Sequence, residues 1–373
     1  MSPEDVLVYL ALCPALFLYV AIHRFPLIYA VPYLYVAWRF YYEWKAGRNP
    51  WPGWKNPYLS PVLLLWGLGL VALLFPQDYL VFKVLRRDVL ILTGYFLPFV
   101  YAHRFEDKHV KALFLTEVFA YLIWIDFSKY KLIIPLFFSA RSVTEYDIGL
   151  FFGLFFLYFL YQKQYGWLAF STFILLLVAK RVVYLGVIPA AFWLGWVSVF
   201  PAFRSRNWSI GVLVLVYLGL TLLSFFIVDG MTWYFHTYKG GNQRIDYMLN
   251  GRAYSLNFII FKIMDSDLFR FVFGHGPGQL DVQISLFRPV HWSKYFPDPT
   301  NPHNDFLKIF YDYGLLGYLA FGYFLIRLYW KRVLGVMFLL FTFFLFFLDN
   351  PLIHIYFNLI ALVLLHTREA HEE

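Results

Sequence analysis

Apolar runs long enough to cross a bilayer recur along almost the whole chain, and that recurrence leaves few folds open. The hydrocarbon core of a bilayer is about 30 Å thick, so a spanning helix needs roughly 20 apolar residues, with about 17–25 allowed. Runs near that length lie at about 5–23, 26–42, 59–76, 88–103, 110–126, 147–162, 167–180, 182–200, 208–228, 313–328, 333–348 and 351–366. Of the 373 residues 61% are hydrophobic and only 14% are charged, against about a quarter charged in soluble domains. So few charges cannot cover a globular surface, which makes lipid the solvent. The sequence predicts an all-α polytopic membrane protein with about twelve transmembrane helices.

Other features fit that class. Aromatic residues make up 23%, with 30 Tyr and 13 Trp, and such rings favour the headgroup level at helix ends. The single cysteine, Cys13, sits inside the first apolar run, so no intramolecular disulfide forms. Met1 to Asp5 carries two acids and no base ahead of the run from Val6 to Ile22. A signal peptide begins with a basic region and ends at small residues, so this run reads as a retained first span. The net charge of +8 has no basic soluble domain to hold it. It belongs to cytoplasmic anchors and anionic substrate contacts rather than to nucleic acid.

The pair Lys180–Arg181 interrupts an apolar stretch. As one helix, 167–200 would be roughly 50 Å long, with two cations at its midpoint where lipid makes them costly. Two spans meeting at a tight outer reversal are expected instead. Orientation follows from Lys and Arg in the short loops. An inside N-terminus puts Lys45, Arg48, Lys55, Arg104, Lys108, Lys111 and Lys163 in the cytoplasm. Arg204, Arg206, Arg327, Lys331, Arg332 and Arg368 join them. Lys83, Arg86, Arg87, Lys129, Lys131, Arg141, Lys180 and Arg181 then fall outside, where an anionic lipid headgroup would need them. The expected organisation is about nine helices in 1–228, one large extracytoplasmic loop in 229–312, and about three helices with a short tail in 313–373.

The loop holds the candidate chemistry. His303, in Pro302-His303-Asn304-Asp305-Phe306-Leu307, lies near the expected outer surface ahead of a span. A neutral imidazole there can take a proton from a sugar hydroxyl, although the bare residue reads more simply as a surface His capping a helix. Arg181 between two spans and Arg252 at the head of an apolar piece carry guanidinium forks suited to phosphate. Snorkelling to the interface accounts equally for Arg181, and an ordinary solvated cation accounts for Arg252. Gly274-His275-Gly276-Pro277-Gly278 is a turn that could present backbone N–H groups to an anion, or a plain turn. Glu117, an acid inside an apolar run, is a functional candidate by position or a partner for an outer-face arginine. His236, His275, His291 and His303 lack ligand-like spacing, so no metal site is expected.

Taken together, Phe273-Gly274-His275-Gly276-Pro277-Gly278, Pro302-His303-Asn304-Asp305-Phe306-Leu307 and Gly314-Leu315-Leu316-Gly317 resemble the signature of the O-antigen ligase and polymerase superfamily. Lys180-Arg181 resembles that family's Ser-Arg, with Lys180 in place of Ser, and Gly251-Arg252 resembles its loop Gly-Arg. The Trp that follows in the family is absent, though Tyr254 is close by. The resemblance covers about residues 165–330 and implies an inverting, metal-independent glycosyltransferase without a cofactor, multi-pass in a bacterial inner membrane with its active site facing the periplasm. The donor would be a glycan on undecaprenyl pyrophosphate; the acceptor, a lipid A–core sugar or a second lipid-linked glycan. By the same resemblance His303 is the base and Arg181 and Arg252 hold the pyrophosphate. Lys180, Asn304, Gly274, His275 and Gly276 join the substrate contacts.

The acceptor is not written in these residues. Ligase transfer is preferred, polymerase chemistry stands beside it, and protein O-glycosylating relatives usually carry further C-terminal sequence. Outside the enzymes, the rival is a transporter or flippase for the same lipid-linked sugars. Such a protein would set cations along a central cavity, and would often show paired broken helices in two similar halves. A structural scaffold is the weakest alternative, having no use for outer-face arginines.

Overall fold

The computed structural model describes residues 1–22, 30–51, 53, 56–73, 93–94, 96–124, 148–178, 180–238, 252–287, 304–349 and 355–367. Among these residues the protein is helical and contains no strand, only a single bridge between Phe105 and Thr367. The helices are α1 (Pro3–Asp5), α2 (Cys13–Ile22), α3 (Val31–Lys45), α4 (Leu59–Leu73), α5 (Asp107–Trp124), α6 (Ile148–Tyr161), α7 (Tyr165–Val178) and α8 (Arg181–Val199). They continue with α9 (Arg206–Tyr238), α10 (Arg252–Met264), α11 (Leu268–Phe273), α12 (Gln279–Phe287), α13 (Asp305–Tyr329), α14 (Val333–Leu348) and α15 (Ile355–Leu365). A π-helical segment, Val6–Leu12, joins α1 to α2. Ser2 starts this rod by a reciprocal cap, accepting the Asp5 N–H at 3.1 Å while Asp5 accepts the Ser2 N–H at 2.9 Å, which satisfies two otherwise orphaned donors.

Among the described residues three stretches are long and apolar enough to cross a membrane: Val182–Val199, Arg206–Phe226 and Asp305–Tyr329. Leu59–Val71, Gly149–Tyr161, Tyr165–Val178, Val333–Leu348 and Tyr356–Leu365 are shorter apolar helices. The expected run at 88–103 is different: its described part contains a 3-10 turn at Leu97–Val100. The stretch 167–200 is indeed two helices, with Lys180 in an extended conformation between them. Val178 and Lys180 both lie against Gly149, whereas Val183 lies against Gly153, one turn further along α6. The chain therefore doubles back at Lys180.

The core centres on α14, which is apolar on all sides and buried over nearly its full length, as such a helix must be. Its Phe341 ring fills a socket left by two glycines. A Cβ on Gly153 would sit 2.4 Å from that ring, and one on Gly186 would sit 2.7 Å from it. Missing side chains thus let α6 and α8 approach α14 closely, the small-residue packing that suits helices in lipid.

Charge is sorted between the two ends of the bundle. At one end His109 reaches Asp5 at 3.0 Å, Gln164 reaches Asp107 at 2.9 Å, and Phe105 donates to the His366 carbonyl at 3.1 Å. Arg332 donates there to the Leu365 carbonyl, and Arg206 lies 5.0 Å from the Trp330 ring centroid. Nearby, Glu4 sits 3.6 Å from the His103 imidazole and accepts the Arg104 N–H at 3.4 Å. Burial pushes the Glu4 carboxyl up, but the imidazole and backbone donors outweigh it and bring the pKa down to about 2. The opposite end carries Lys180, Asn304 and Asp349.

Candidate functional site

Two segments well apart in sequence lock together backbone to backbone. Helix α11 is capped by Asp267, whose carboxylate accepts the Arg270 N–H at 2.9 Å, and it ends at Gly274 with φ of 88°. The turn that follows lies on α13: the His275 N–H donates to the Tyr311 carbonyl at 3.0 Å, and the Gly276 N–H to the Asp312 carbonyl at 2.9 Å. At Gly314, φ of 68° breaks the regular path of α13. A Cβ on Gly274 would sit 2.3 Å from the Asp312 carbonyl oxygen, and one on Gly314 would sit 2.4 Å from the Gly274 nitrogen. Glycine is required on both sides, by left-handed φ and by space. The His275 ring stacks on Tyr311 at 4.1 Å with 3° between planes, and its Nε2 is 2.7 Å from the Ser266 hydroxyl.

The turn does offer backbone N–H groups to an anion, and that anion is the chain's own. The Asp312 carboxylate accepts the Gly278 N–H at 3.2 Å and the Leu280 N–H at 3.0 Å. Lys308 Nζ lies 3.1 Å from Asp312 and 3.1 Å from Asp281. All three charged side chains are buried. Charges stripped of water hold only when partners and further hydrogen bonds are present, and here Asp312 has both. In the sequence 305–312 has the look of a loop, so Asp281, Lys308 and Asp312 do not stand out there as a buried cluster. The helix begins at Asp305 instead, since its charged residues find buried partners. The available signal was Lys308 and Asp312 at i, i+4 spacing, neighbours on a helix face.

Asn304 caps α13, accepting the Leu307 N–H at 3.0 Å, while its amide donates to Ser224 at 2.8 Å and to the Phe347 carbonyl at 3.2 Å. Two residues beyond Phe347, Asp349 pairs with Lys180 at 2.8 Å. Asn304 and Lys180 thus meet the same end of α14, and each is engaged by a partner in the fold. Arg181 opens α8 and Arg252 opens α10, but their side chains lie outside the described residues, as does His303 altogether. Lys83, Arg86, Arg87, Lys129, Lys131 and Arg141, expected on the outer face, also lie outside them. Glu117 is fully buried, and among the described residues neither carboxylate oxygen has a hydrogen-bond partner. Among the described residues no group of His, Cys, Asp and Glu is arranged to hold a metal ion.

The arrangement offers a rigid wall rather than a preformed anion pocket in the glycine turn. No protein-family model matches this chain, and no curated protein matches it in sequence.

Proposed function

We propose that this protein is a membrane glycosyltransferase that moves a glycan from undecaprenyl pyrophosphate to an acceptor sugar at the periplasmic face, with a lipid A–core sugar as the preferred acceptor. The single observation that supports this reading is the interlock of Gly274–Gly276 with Tyr311–Gly314. The sequence resemblance treats these segments as parts of one signature, and they form one packed unit. The reading includes about twelve spans and an inside N-terminus.

In this mechanism His303 accepts the proton of the acceptor hydroxyl as that oxygen attacks the anomeric carbon from the face opposite the leaving group. The bond from carbon to the pyrophosphate oxygen breaks, and the configuration inverts. Arg181 and Arg252 stabilise the departing pyrophosphate, since fixed cations aimed at developing charge lower the barrier electrostatically. Lys180 adds a third cation when the pyrophosphate displaces Asp349. Asn304, the residue after His303, is anchored to α9 and α14.

Reconstitution into vesicles with a lipid-pyrophosphate glycan, tested against each acceptor class in excess EDTA, checks the proposal. Transfer to lipid A–core supports the ligase reading, and chain extension on the lipid carrier would replace it with polymerase chemistry. Movement of intact donor across the bilayer without glycan transfer would overturn the enzyme reading in favour of a flippase.

A further inference from the structure

Between α9 and α13, at the bundle end that holds Arg206 and Trp330, lies a cavity of about 390 Å³. Arg206, Arg327 and Lys331 converge on it, and among the described residues no carboxylate lines it. Among the described residues none of the three cations forms an ion pair. Its other wall is apolar: Leu218 and Leu319 line it and remain 41% and 47% exposed. The floor is Tyr217, whose hydroxyl donates to the Tyr318 carbonyl at 2.7 Å and whose ring passes over Gly322. Arg206 opens one apolar stretch long enough to span a membrane and Tyr329 closes another, so the cations stand where two such helices would leave the hydrocarbon.

We propose that this cavity binds one anionic glycerophospholipid. Its phosphate is held by Arg206, Arg327 and Lys331, and an acyl chain lies along Leu218 and Leu319. Three observations select that occupant. Three converging cations that meet no acid among the described residues call for an anion, and arginine supplies a fork that fits phosphate oxygens. The apolar wall runs from the cations along the helix faces, which a free phosphate would leave uncovered. Trp330 sits beside Arg206, the usual place for an indole at the headgroup level. Basic pockets between spanning helices on the cytoplasmic side are a recognised form of anionic headgroup site. This proposal does not depend on glycan transfer, since it concerns the bundle end away from Lys180 and Asn304.

The test is native mass spectrometry of the purified full-length protein titrated with phosphatidylglycerol, phosphatidylcholine or inorganic phosphate. Phosphatidylglycerol should bind more tightly than phosphatidylcholine. Each of Arg206→Gln, Arg327→Gln and Lys331→Gln should weaken it about fivefold, and the triple variant about a hundredfold. Leu218→Trp keeps every cation but fills the chain groove, and it should also lose the lipid. An unchanged lipid preference in the single variants, which are mild enough to fold, overturns the proposal. Equal binding of phosphatidylcholine overturns it too, as does phosphate binding that survives Leu218→Trp while phosphatidylglycerol shows no advantage.

Discussion

Gly274 and Gly314 meet backbone against backbone, each occupying the volume that a Cβ on the other would need. Both have positive φ, 88° and 68°. Alanine at either position adds a left-handed strain of about 1–2 kcal/mol to an overpacking cost of about 1–3 kcal/mol. Gly274→Ala and Gly314→Ala should each lower stability by about 2–5 kcal/mol. Because they disrupt one contact, the double variant should cost less than the sum. Denaturant unfolding in detergent measures all three, and additive losses would mean that the two glycines act separately.

Lys308→Met leaves the Asp281 and Asp312 carboxylates facing each other without their shared cation. Removing one member of a buried pair costs about 3–5 kcal/mol, so the variant should unfold far more readily. Lys45→Met, at an exposed position, should change stability by about 0.5 kcal/mol or less. The same unfolding measurement compares them, and equal effects would show that Lys308 is not holding the turn.

Glu4 makes stability depend on pH in acid. Its carboxyl falls from 4.5 to about 2 on folding, so the folded state favours the ionised form. That contribution is complete above pH about 4.5 and disappears as pH falls towards about 2. Solvent screens a partly exposed carboxylate, so wild-type protein should lose about 1–2 kcal/mol more than Glu4→Gln across this interval. Melting temperatures at pH 6, 4 and 3 would reveal it, and parallel curves for the two proteins would remove Glu4 as the cause.

His303→Ala should reduce glycan transfer by about 10²–10⁴-fold, the usual contribution of a positioned acid–base group, while the protein remains folded at normal levels. Asn304→Ala should act differently, because losing a cap costs about 0.5–2 kcal/mol of stability. Turnover and melting temperature for both variants separate chemistry from structure. Near-normal turnover in His303→Ala would take the base role away from it.

Arg181 and Arg252, if they share one pyrophosphate, should couple. Replacing either with Lys keeps charge but loses the fork, so donor binding should weaken in both single variants. The double variant should depart from additivity by about 0.5–3 kcal/mol. Donor affinity measured through this cycle tests the shared ligand, and independent losses would assign the two cations to separate sites.

The sequence made some of this architecture readable and hid the rest for definite reasons. The reversal at Lys180 was legible because helix length and two midpoint cations both opposed a single span, and the helices do separate there. Helix α14 was legible as an unbroken apolar run at 333–348. The start of α13 was not, because Asp305, Lys308 and Asp312 look like solvated loop until Asp281 and the turn amides are seen beside them. The glycine turn was legible as a turn, with anion-facing amides and a plain turn both left open. What local sequence could not convey was that its anion comes from the same chain.

Phe341 acts as a peg seated between Gly153 and Gly186, and a peg with two sockets resists sliding. Moving α14 along its axis by one turn, about 5.4 Å, would drive that ring out of the gap and against backbone that has no room to yield. Shear between α6, α8 and α14 is therefore blocked, and so is any ratchet-like shift of Asp349 past Lys180. The three helices therefore form one frame, and any movement at that end must leave its register unchanged. A bulkier residue at Gly186 would thus disturb the position of the frame before it disturbed any moving part.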